Sequence, residues 1–106
     1  MADWQNHEWK LLIGGELVAG DAGTAPIVNP ATEEVVGEAP EASVEQAESA
    51  ARAAQEAFPA WSATSAAERA ALLQAAATRL EQLGPELVPL IISETGATAP
   101  TGWRLT

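Results

Sequence analysis

The sequence predicts an α+β chain, with β-hairpins first and two or three α-helices after them. Three observations carry this. Most of the glycine, and most of the Val and Ile, lie in the first forty positions, whereas the remainder is rich in Ala, Leu, Glu and Gln. Short apolar runs punctuated by Gly or Asn-Pro open the chain. Two capping-box signatures then follow, each leading into apolar residues at steps of three and four. Strands gathered before helices give an α+β order.

Lys10-Leu11-Leu12-Ile13 and Glu16-Leu17-Val18-Ala19 flank Gly14-Gly15. A two-residue hairpin turn needs positive φ, which glycine adopts without strain, so this is a hairpin. The loop Gly20-Asp21-Ala22-Gly23 comes next, then Ala25 to Val28, the turn Asn29-Pro30-Ala31-Thr32, and Glu34 to Glu38. Asn before Pro initiates a turn, because proline fixes φ and disfavours the α region for its predecessor. A second hairpin or extended pair is expected, with open edges. Ser43-Val44-Glu45-Gln46 has capping-box spacing, and Val44, Ala47, Ala51, Ala54 and Phe58 form one helical stripe. Pro59 is expected to stop that helix. Ser65-Ala66-Ala67-Glu68 repeats the box. Leu72, Leu73, Ala76, Leu80 and Leu83 form a broader stripe, which Gly84-Pro85 is expected to end. A third, shorter helix is expected between Pro85 and Thr95, closed by Gly96. The two long stripes are expected to pair as an antiparallel helical hairpin around Trp61.

Composition removes whole classes of function. The chain has 106 residues, no cysteine and one histidine. Disulfides, thiolate metal sites and a cysteine nucleophile are therefore absent, and His7 has no second imidazole with which to hold zinc. A net charge of −10 argues against nucleic acid and anionic membranes as partners. The acidic, polar start is no signal peptide, and a cytoplasmic location is expected. The 47% hydrophobic content includes 24 alanines, while Leu, Ile, Val and Phe number 21. That is about the composition at which a highly charged chain stops folding alone.

Candidate chemistry reduces to structural roles. Gly14-Gly15 lacks the further glycine and the Lys-Ser/Thr of a phosphate loop and joins strand to strand. Glu41, Glu45 and Glu48 cluster at a helix start, where negative charge suits the dipole, and with Glu33-Glu34 they read as a solvated acidic face. Ser49, Ser62, Ser65 and Ser93 have no nearby base. Trp61 is expected at the helix junction, whereas Trp4 and Trp9 suit docking on a partner surface or neighbouring domain. No catalytic, cofactor-binding or metal-ligating residue is assigned.

The pattern in order resembles the aldehyde dehydrogenase superfamily. Leu12-Ile13-Gly14-Gly15-Glu16-Leu17-Val18 is similar to its opening hairpin, and Ile27-Val28-Asn29-Pro30-Ala31-Thr32-Glu33-Glu34-Val35-Val36 to its Asn-Pro-Ala-Thr-Gly segment. The stretch from Val44 to Trp61, Ala67-Glu68-Arg69 through Leu73, and Ser93-Glu94-Thr95-Gly96 complete five blocks between residues 11 and 96. Glu33 stands where the family usually has a turn glycine, so the turn is expected to change type or lengthen. Ala97-Thr98-Ala99-Pro100, in place of the usual Lys-Pro, resembles the branch acting on vanillin, benzaldehyde or salicylaldehyde.

The resemblance implies an α/β aldehyde dehydrogenase-like fold and the oxidation of aldehydes to carboxylic acids with NAD or NADP. It implies that this chain is a truncated N-terminal fragment, inactive alone, because the family's Asn, general-base Glu and catalytic Cys lie further along. Residues 1–10 are then a mobile extension. Residues 11–96 are the N-terminal part of the nucleotide-binding domain, with strands in 11–38 and helices in 43–95, and 97–106 a truncated tail. In some members a monovalent cation sits where the Val28 carbonyl and Glu94 fall. The full-length family is homo-oligomeric, and self-association through exposed strand edges is expected of the fragment. The alternative is a small, non-catalytic acidic interaction module that docks on a protein partner.

Overall fold

The computed structural model describes residues 6–98; Trp4, Trp103 and the tail from 99 to 106 lie outside them. Its elements run β1 (Leu11–Ile13), β2 (Glu16–Val18), β3 (Thr24–Val28), β4 (Val35–Pro40), α1 (Val44–Ala63) and α2 (Ala66–Thr95). Each sheet is a two-stranded antiparallel hairpin, β1 with β2 and β3 with β4.

The first hairpin turns on Gly14 (φ 60°) and Gly15 (φ 85°), the double positive φ that matches a tight turn to strand twist. Its register sets Leu11 opposite Val18, Leu12 opposite Leu17 and Ile13 opposite Glu16. Opposed residues share a face, so Leu11, Val18 and Ile13 lie on one side and are half-buried. That side meets α1, where the Ala53 methyl lies 3.8 Å from the position a Cβ on Gly14 would take. Leu12 and Leu17 occupy the other side, 69% and 67% exposed.

The second hairpin pairs Ala25 with Ala39 and Ile27 with Gly37, then skips a residue so that Val28 opposes Val35. The extra residue, Val36, is a bulge beside the connecting loop. Loop and strand are stitched together beyond the turn. Ala22 donates to the Glu41 carbonyl at 3.1 Å and Glu41 to the Gly23 carbonyl at 2.9 Å. A Cβ on Gly20 would come within 2.3 Å of the Glu41 oxygen, so only glycine fits this crossing without a backbone shift.

Both capping boxes form as the sequence predicts. Ser43 Oγ accepts from Gln46 N at 3.1 Å, and Ser65 Oγ from Glu68 N at 3.2 Å. Gly96 closes α2 in the left-handed conformation (φ 68°, ψ 13°), donating to Ile92 O.

Helix ends differ from expectation at two places. Pro59 does not stop α1, which continues four residues to Ala63, and α2 passes through Pro85 and Pro89 as one 30-residue helix. Proline removes one donor to the carbonyl four residues earlier. Here Pro59, Pro85 and Pro89 are all exposed, as are Gln55 and Glu81, so the released carbonyls of Gln55, Glu81 and Pro85 lie on the water side of their helices. The real boundary is Thr64-Ser65: Thr64 caps α1 through Trp61 O, and Ser65 caps α2 at once. The Arg69 guanidinium also donates to Thr64 O across this two-residue corner.

The expected antiparallel pairing of the helices does not form. Leu72, Leu73 and Leu80 stay exposed, Leu80 by 57%, and Trp61 is 44% exposed beside the corner. No side chain among the described residues is buried.

Candidate functional site

Among the described residues, two junctions bring chemistry-bearing side chains from separate segments together. The first centres on Gln46 in the opening turn of α1. Its Oε1 accepts from Ser43 N at 3.1 Å and from Asp21 N at 2.8 Å, and its Nε2 donates to Ala19 O at 2.8 Å. One carboxamide thus completes the capping box and pins the loop after β2 to α1. Both of its polar ends are matched, an oxygen facing two amides and a nitrogen facing a carbonyl.

The second junction joins the turn after β3 to the end of α2. Asn29 Oδ1 accepts from Ala31 N at 2.9 Å, Glu33 N donates to Asn29 O at 2.8 Å, and Asn29 N donates to Glu34 O at 2.9 Å. Glu33 sits at φ 62°, the left-handed region that favours glycine. In place of the changed or longer turn that the sequence predicts, Glu33 itself takes the left-handed position. Across from this turn, the Pro30 ring packs on Gly96, whose Cβ, were it present, would lie 2.6 Å from Pro30 Cγ. Two segments 66 positions apart in the sequence therefore meet through a proline face and a bare glycine. Next to them Trp9, Lys10, Ile27, Ala39, Pro40, Leu90 and Glu94 border an open groove of about 370 Å³.

The other candidates take structural roles. Ser62 donates to Pro59 O at 3.0 Å and Ser93 to Leu90 O at 2.7 Å, both within their own helices. Ser65 Oγ donates to Glu68 Oε2 at 2.8 Å, and this bond, with that from Ser65 N, holds the Glu68 carboxyl below its usual range. It is a helix cap in water, with no imidazole to relay a proton. His7 meets Trp9 edge to face, with centroids 4.5 Å apart. Glu33, Glu34, Glu41, Glu45 and Glu48 are exposed. Among the described residues no group of three His, Cys, Asp or Glu could hold a metal ion. The Val28 carbonyl and the Glu94 carboxylate are oxygen donors, the ligand class that hard cations take, and these two residues alone would fill part of such a shell. In the doubly wound fold a dinucleotide is held by a glycine-rich strand-to-helix turn within a parallel βαβ unit. The described strands form only antiparallel hairpins, so that unit is not among them. Sequence reasoning missed the Gln46 bridge to Ala19 and Asp21. Its signal was hidden, because capping-box spacing explains Gln46 locally and nothing marks the long-range partners.

What decides the family is the match of this arrangement to known proteins. The sequence profile described as "Aldehyde dehydrogenase family" matches residues 17–104. The chain belongs to the aldehyde dehydrogenase family. It is 39% identical over 90 residues to a vanillin dehydrogenase of Corynebacterium glutamicum, covering 84% of this chain and 19% of that protein. It is 40% identical over 97 residues to 1-pyrroline-5-carboxylate dehydrogenase 2 of Bacillus subtilis, covering 91% of this chain and 19% of that one. The crystal structure of an NAD-dependent benzaldehyde dehydrogenase from Corynebacterium glutamicum superposes with a TM-score of 0.78 at 39% identity, over 84% of this chain and 20% of the other. This aldehyde dehydrogenase-family chain thus spans about a fifth of the length of the relatives it matches. The two hairpins followed by helices are the N-terminal segment of that fold.

Proposed function

We propose that this chain is the N-terminal structural layer of an NAD(P)-dependent aldehyde-oxidising enzyme, of the branch that takes aromatic aldehydes, and that it performs no catalysis alone. In that reaction an aldehyde and water yield a carboxylic acid, and the aldehyde's hydride passes to the nicotinamide. The family's chemistry begins with attack of a cysteine thiolate on the aldehyde carbon, and this chain has no cysteine to supply it. What its own residues do is hold the layer. Gln46 ties hairpin to helix, and Pro30 on Gly96 ties the Asn-Pro turn to the end of α2.

The observation that carries this reading is the superposition on a benzaldehyde dehydrogenase at a TM-score of 0.78 and 39% identity over 84% of the chain. The apolar outer sides of β1–β2 and α2 would then face the rest of such a subunit. A chain held alone would self-associate through its open strand edges. With a charge of −10 it would avoid nucleic acid and anionic membranes, and it would reside in the cytoplasm. No helix among the described residues is long and apolar enough to cross a membrane.

The purified chain, given benzaldehyde or vanillin with NAD or NADP, should form no reduced nicotinamide above the enzyme-free control. Sustained aldehyde-dependent turnover, abolished by a substitution in this chain, would overturn the proposal.

A further inference from the structure

We draw no further inference here: the strongest candidate, the open apolar groove on α2 between Leu80, Gly84, Leu87 and Ile91, belongs to the face already proposed to meet the rest of a dehydrogenase subunit, and nothing in the structure shows what covers it.

Discussion

Glu33 carries the clearest residue-level cost. At φ 62° an L side chain crowds its own carbonyl, a penalty of roughly 1–2 kcal/mol that glycine escapes. Glycine also loses more chain entropy on folding, which returns roughly 0.5–1 kcal/mol of that gain. E33G should therefore stabilise the chain by up to about 1 kcal/mol in urea titration, and E33N, whose side chain tolerates the left-handed region, by less. A clear destabilisation by E33G would show that the Glu33 carboxylate makes a contact worth more than the strain. Gln46 carries the opposite sign. Q46A removes three side-chain bonds that are partly open to water and should cost about 1–3 kcal/mol. Q46E is the sharper probe. It keeps both acceptor bonds but loses the donor to Ala19 O and sets a carboxylate against that carbonyl. By hydrogen exchange, Q46A should free the Asp21 amide, whereas Q46E should leave it protected. Equal loss in both variants would mean the bridge is held by Nε2 alone.

At the scale of elements, local signals were legible and packing was not. Ser43, Ser65, Gly14-Gly15 and Gly96 each act within a few residues, so spacing and residue type sufficed to place the caps, the first turn and the end of α2. The prolines misled because their effect depends on surroundings. A lost hydrogen bond breaks a helix when the carbonyl is enclosed and is tolerated when water replaces it, and exposure at 59, 85 and 89 is a tertiary fact. The same holds for the leucine stripe. Periodicity puts Leu72, Leu73, Leu80 and Leu83 on one face of α2 but could not say that α1 leaves Leu72, Leu73 and Leu80 exposed. This reverses an expected ordering of mutational costs. For a packed stripe Leu80→Ala would cost roughly 2–5 kcal/mol. With Leu80 57% exposed it should cost under about 1 kcal/mol in the isolated chain, partly offset by alanine's higher helix propensity. Ser65→Ala, which removes a cap, should cost about 1 kcal/mol and so do more damage. Helical circular dichroism of the two variants against urea measures the order directly, and a larger loss for Leu80→Ala would place that side chain in a packed core.

At the scale of the whole molecule, the elements are well formed and their faces are uncovered. The accessible surface is 8181 Å², where a compact protein of 11.0 kDa presents about 5,600 Å². The radius of gyration is 17.1 Å, against about 13 Å for a compact domain of this length. Among the described residues, contacts between elements are mainly those within the two hairpins and the seat of β1 on α1, with a few touches such as Pro30 on Gly96. Such a layer draws its secondary structure from local signals and its cooperativity from whatever covers it. Calorimetry of the isolated 106-residue chain tests this claim most directly. A broad transition of low enthalpy is expected, with the calorimetric and van't Hoff values unequal. A sharp two-state melt near the roughly 60–80 kcal/mol typical of a 100-residue domain, from a monomer, would contradict it.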